Sequence, residues 1–240
     1  DVFPPEETKA PLAGLFDALH WTTRTGVVER ELWFAPGDTI DAATAAEVER
    51  NLRALGLFAE VTARLVPTGT PGEVDLEITT RDRFTFNLGA GASFVGGITG
   101  VRGGLGESNL FGLGDRLAAS FARNSEDEYR FALAYTDLHV LDTWHTGTVR
   151  GGRTDDGDFF GLELRRPIKH LRDVHTYGID VSYDESEVEY FRDAEVRAEL
   201  ADVRSRMAFD YAVVDGPRDR RRTLGLVLIA ERNDYGPVRG

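Results

Sequence analysis

The sequence predicts an α+β domain in the order β-α-α-β-β, followed by an antiparallel transmembrane β-barrel that is here incomplete, with about nine strands. Three observations carry this prediction. A helix-period segment and a hairpin pattern are confined to residues 1–82, whereas across residues 83–240 apolar side chains recur at every second position. No run approaches the ~18 consecutive apolar residues of a membrane helix. The richest is only residues 224–230, so a bilayer could be crossed only by strands, whose alternation hides them from hydropathy.

Composition narrows the function classes. At 240 residues the chain has room for one large domain or two ordinary ones. The net charge of −13, of which residues 1–82 carry −8 and the remainder −5, excludes the basic surface of a nucleic-acid binder. The absence of cysteine removes disulfides, thiolate metal sites and thiol catalysis together. The chain opens at Asp1 with neither a start methionine nor a signal peptide, as expected of a processed chain or a piece of a longer one. No polar linker separates the two parts, so they join almost directly.

In the first part, Pro4, Pro5 and Pro11 make residues 1–11 an extended lead-in. Residues 15–21 (LFDALHW) suit a short strand. Thr22, Thr23 and Thr25 offer N-cap hydroxyls to a short helix through Val27, Val28, Glu31 and Leu32, which the APGD stretch at 35–38 stops. The clearest helix covers residues 41–54. Asp41 caps it, residues 42–46 are good helix formers, and Val48, Leu52 and Leu55 share one face. Gly56 ends it. Val61, Ala63 and Leu65, then Val74, Leu76 and Ile78, alternate with polar residues on either side of PTGTPG at 67–72, which makes a hairpin.

The pattern REL-x-F-x-x-GD at 30–38, then a helix, then NLRALGLFAEV at 51–61, resembles a POTRA domain, the periplasmic module that precedes outer-membrane assembly barrels. Leu52, Leu55, Gly56, Leu57, Phe58 and Val61 occupy the positions that end the second helix and plug an aromatic into the core. A generic α/β sandwich with a helix stop would use the same pattern.

In the second part the strands are read in order. Phe84, Phe86, Leu88, Ala90, Ala92 and Phe94 mark the first, with Gly89 and Gly91 on its polar face. Val101, Gly103 and Leu105 mark the second, and Leu117, Ala119 and Phe121 the third. Tyr129, Phe131, Leu133 and Tyr135 mark the fourth, followed by strands at 144–152 and 159–166. Tyr177, Ile179, Val181 and Tyr183 form the seventh, Met207, Phe209, Tyr211 and Val213 the eighth, and residues 224–231 the ninth. Lengths near ~9–11 residues suit tilted transmembrane strands. Arg130, Glu163, Arg165, Asp180 and Asp210 sit at the polar positions, where a wet lumen tolerates charge that a dry core would not. Phe84, Tyr129, Trp144, Phe159 and Tyr177 lie near strand ends and suit interfacial girdles. ESNLFGLGD at 107–115 and RPIKHLRDVH at 166–175 read as tight turns, whereas 152–158 and the acidic stretch 184–196 read as longer polar loops at the other end.

The NLFGLGD stretch resembles the first periplasmic turn of the outer-membrane assembly superfamily of BamA- and TamA-like barrels. Gly106, Asn109, Leu110, Phe111, Gly112, Gly114 and Asp115 match its pattern, and RRPI at 165–168 is similar to the family's third turn. Family barrels have more strands than are counted here, so this stretch of chain does not close one. The family's lumenal VRGF motif is not matched: VRGG at 101–104 and at 149–152 and VRG at 238–240 come too early, and the first two read as ordinary strand.

No catalytic set emerges. GGLGES at 103–108 lacks the lysine of a phosphate loop, and Ser108 lies in no nucleophile elbow. His139 with His145, and His170 with His175, flank predicted turns without zinc-motif spacing, and Asp155, Asp156 and Asp158 read as a solvated loop. Neither metal nor cofactor is expected. The resemblance implies outer-membrane lipid, unfolded outer-membrane or secreted polypeptides and periplasmic proteins as partners, and no enzyme activity. It implies an assembly or export role by strand augmentation. A pore, anchor or surface antigen of the same build, and a soluble periplasmic β-rich binding protein, are the alternatives.

Overall fold

The computed structural model describes residues 21–170, 173–192, 195–216 and 220–237. The lead-in and nearly all of the strand expected at 15–21 lie outside them. Two helices, α1 (Thr25–Arg30) and α2 (Ala42–Ala54), precede eleven strands. Among the described residues, β1 (Phe58–Pro67) and β2 (Val74–Asp82) pair with each other and with no other strand. The remaining strands are β3 (Phe86–Val95), β4 (Ile98–Leu110), β5 (Asp115–Asn124), β6 (Tyr129–Asp137), β7 (Thr146–Thr154), β8 (Asp158–Arg166), β9 (His175–Arg192), β10 (Glu195–Asp215) and β11 (Arg222–Pro237). They form one nine-stranded meander in chain order, open between its edges β3 and β11.

The chain divides into two compact units. One comprises residues 1–87 with 106–116, the other 88–105 with 117–240. The first has a conventional apolar core. Val27, Val48 and Leu52 from the helices, Leu57 just before β1 and Val61 within it are at most 1% exposed, with Leu55 and Phe58 behind them at 9% and 7%. α2 starts as its sequence dictates. The Asp41 carboxylate accepts from the Thr44 N–H at 2.8 Å and Thr44 Oγ1 accepts from the Asp41 N–H, a reciprocal capping box. Gly56, at φ +74, closes it in the left-handed conformation. The expected hairpin forms, with Val61 opposite Thr80 and Leu65 opposite Leu76.

The threonine cap expected for α1 is absent. Arg24 occupies the N-cap without a side-chain bond. Thr23 is engaged over a long range instead: its N–H donates to Asp82 Oδ2 at 3.0 Å and its hydroxyl accepts from Asn109.

In the second unit the period of two gives two faces of opposite character. Leu88, Phe94, Val101, Leu105, Phe121, Phe131, Leu133, Phe160, Leu162, Met207 and Leu226 are exposed large apolar residues, a population that a water-soluble sheet would bury. The other face is polar and concave, since one cleft of about 540 Å³ touches Ser93 on β3, Arg102 on β4, Arg130 on β6, Phe159 on β8 and Ser186 on β9.

Three expectations need correction. The acidic stretch 184–196 is not a loop: β9 and β10 pair through Asp184 opposite Arg204, Ser186 opposite Asp202 and Val188 opposite Leu200. These strands are 18 and 21 residues long, well beyond the ~9–11 that cross a bilayer. The expected contrast of loop lengths is not found either. At the end of the sheet that carries the NLFG turn, 111–114 is the compact turn expected but 138–145 is longer, and at the other end 96–97, 125–128 and 155–157 are tight turns, the last in place of the longer loop expected at 152–158. Finally, Phe159 lies on the polar face rather than in an interfacial girdle, with the Arg130 guanidinium 4.4 Å above its ring.

Candidate functional site

The turn after β4 is built into the first compact unit. Asn109 is fully buried, and its side chain makes three hydrogen bonds. Nδ2 donates to the Trp21 carbonyl at 2.9 Å and to Thr23 Oγ1 at 3.0 Å, and Oδ1 accepts from the Gly114 N–H at 3.0 Å. Arg24 donates its N–H to the Gly112 carbonyl at 2.9 Å, and Arg116 Nη2 donates to the Leu55 carbonyl at 3.2 Å, at the C-terminus of α2. The Phe111 ring meets the Trp21 indole edge-on at 5.4 Å between centroids.

The glycines have a local reason. Gly112 and Gly114 have φ of +74 and +79, and a Cβ on Gly112 would lie 2.3 Å from the Thr22 carbonyl oxygen. Even Phe111 sits at φ +56, a conformation costly for an aromatic residue, so the turn is held by its surroundings. Gly106 lies within β4, which Leu110 ends, and Asp115 begins β5. Sequence spacing brought out Asn109 and the glycines. It missed Trp21, Thr23, Arg24 and Arg116, because their roles depend on partners 60 or more residues away.

The charged residues expected on the polar strand face converge there. Arg165 on β8 reaches across Gly178 on β9 and grips Asp210 on β10 with two bonds of 2.9 and 3.0 Å, while its Nε donates to Glu163 at 3.0 Å. Asp180 accepts from Arg206 at 3.3 Å and lies 3.6 Å from Arg150. Three arginines and three carboxylates therefore neutralise one another over four adjacent strands. Arg150 and Arg206 were not singled out from the sequence. Their positions simply follow the same alternation.

The histidines form pairs and small clusters. His145 Nε2 and Tyr177 Oη are hydrogen-bonded at 2.7 Å, as are His175 Nδ1 and Tyr211 Oη. His170 lies 3.4 Å from Asp173 and edge-on to Trp144, which precedes β7 instead of lying in it. In the 155–157 turn, desolvation and the neighbouring Asp155, Glu187 and Glu128 raise the Asp156 carboxyl above its ordinary value.

No family model matches the chain. It is 38% identical over 128 residues, half of its length, to the outer membrane protein assembly factor BamA of Nitratidesulfovibrio vulgaris. It is 34% identical over 118 residues to BamA of Neisseria meningitidis serogroup B. The chain is homologous to BamA. The matched stretch amounts to 15% of the length of each of these relatives. The crystal structure of BamA from Haemophilus ducreyi lacking POTRA domains 1–3 superposes with a TM-score of 0.51 at 15% identity, covering 87% of this chain and 46% of that one. The open nine-stranded sheet is thus similar in fold to the BamA barrel.

Proposed function

We propose that this chain is the N-terminal part of an outer-membrane barrel with a periplasmic POTRA-type domain, and that it assists the insertion or translocation of other outer-membrane or secreted polypeptides. The observation that carries this reading is the 38% identity to an assembly factor over half of the chain. The POTRA-type reading of residues 1–82 is supported by the α-α-β-β order, the Phe58 plug and the Gly56 helix stop. A structural match over 87% of the chain also exceeds what residues 86–237 alone can supply. The exposed apolar face meets outer-membrane lipid, and the charge-neutralised face lines the lumen. No step requires a cofactor or catalytic group.

The mechanism is strand augmentation: an incoming polypeptide pairs its backbone with an exposed strand edge. The two candidate edges are the β1–β2 hairpin and β3. Gly89 and Gly91 deprive β3 of cross-strand side-chain packing, which weakens its pairing. Single cysteines at Asn87 and Ser93 in the full-length protein should crosslink to a nascent outer-membrane strand. If they stay unreacted while cysteines elsewhere in the protein capture the substrate, the insertion role is wrong and a pore, anchor or surface antigen of this fold remains.

A further inference from the structure

We propose that Glu107 is the positioning residue that fixes the base of the edge strand β3 and couples it to the N-terminal segment. The inference rests on the seam reading above and adds the element that sets where the seam begins.

Glu107, near the end of β4, is 7% exposed, and Thr85, immediately before β3, is 4% exposed. One carboxylate oxygen, Oε1, accepts from Thr85 Oγ1 at 2.5 Å and from the Asn109 N–H at 2.7 Å. The other, Oε2, is buried and makes no hydrogen bond. Both bonds are charge-assisted and shielded from water, the setting in which a hydrogen bond contributes most. Asn87 Nδ2 closes the base by donating to the Thr85 carbonyl at 3.0 Å.

Beyond that point, no side chain of residues 88–95 makes a hydrogen bond or ion pair among the described residues. The strand ends in Gly96-Gly97, at φ +60 and +91. It is therefore clamped at its base and held elsewhere only by its backbone ladder and outward apolar contacts, so opening starts at the glycine-turn end and stops at Thr85. The same Glu107 oxygen holds Asn109, whose amide holds the Trp21 carbonyl and Thr23. A displacement of the N-terminal segment reaches the base of β3 through two buried polar groups.

The test is amide hydrogen exchange in the full-length protein in lipid nanodiscs, comparing residues 86–89 with β6 as an internal reference. Thr85→Val, which keeps the shape and removes the donor, should speed exchange at residues 86–89 about tenfold or more, the effect of losing one hydrogen bond to a charged group. Glu107→Ala should do the same. Thr85→Ser, which keeps the hydroxyl, should stay within about threefold of wild type. Exchange unchanged by Thr85→Val, or accelerated equally by Thr85→Ser, would overturn the clamp. Substrate crosslinking at Ser93, read on the same variants, tests the insertion reading separately: faster exchange with no crosslink in any variant would leave the clamp standing and remove the seam.

Discussion

Gly112 and Gly56 offer a matched pair for asking whether the NLFG turn is seated on the N-terminal segment. Both have φ of +74, so alanine at either position incurs the same left-handed penalty of about 1–2 kcal/mol. Their surroundings differ. A Cβ on Gly56 meets nothing within 4 Å, whereas on Gly112 it lies 2.3 Å from the Thr22 carbonyl oxygen and 3.4 Å from its carbon. Those are backbone atoms and cannot swing aside as the tip of a side chain can. Relieving the overlap means moving the turn, which adds about 1–3 kcal/mol of overpacking and puts the Arg24-to-Gly112 bond, worth about 1 kcal/mol, at risk. Gly112→Ala should therefore cost about 2–5 kcal/mol and Gly56→Ala about 1–2. Urea unfolding in detergent, followed through the tryptophan fluorescence to which Trp21 contributes beside Phe111, reads both. Equal losses would refute the seated turn.

Phe58→Ala should cost about 3–5 kcal/mol in the same titration, as for other buried aromatics, and a loss under about 1 kcal/mol would mean that Phe58 is not a core plug. Asp156 gives a pH prediction of definite sign. Its carboxyl is raised in the folded state by desolvation and then by Asp155, Glu187 and Glu128, so the ionised form opposes folding at neutral pH and the opposition fades as pH falls through the raised value. Asp156→Asn should accordingly stabilise at pH 7 and lose that advantage on acidification; a gap that widens in acid would contradict the assignment.

Much of this architecture is legible in sequence because its causes are local. The Asp41 cap, the Gly56 stop and the alternation that marks nine strands each depend on neighbours within a few residues. What was misread depends on distant partners or on the solvent. Thr23 looks like a helix cap, yet it serves Asp82 and Asn109. Residues 184–188 look like a loop because they are acidic, but β8 stops pairing at Phe159 opposite Asp184 and the ribbon runs on beyond it. Charges there stay in water, so they do not oppose strand formation. Phe159 follows the aromatic-girdle rule by composition, but Gly152 opposite leaves a gap on the polar face that its ring fills. Glu107 carries no signal in spacing at all, since its meaning comes from Thr85, which it meets only after the chain has turned through β3 and β4.

The central claim is that one face of the sheet meets lipid and the other a wet lumen, and β6 tests it most directly. Leu133 is 46% exposed on the apolar face, between Phe131 and Tyr135. Ala132 is its neighbour on the polar face, which it shares with Arg130 and with Thr136, hydrogen-bonded to Thr148 at 3.1 Å. A side-chain period of two leaves no intermediate assignment. Arginine near the bilayer midplane costs about 2–4 kcal/mol, whereas the lumen hydrates it. Measured side by side as folded, heat-modifiable barrel in membranes, Leu133→Arg should impair assembly strongly and Ala132→Arg should be tolerated; equal effects, or the reverse order, would contradict the account.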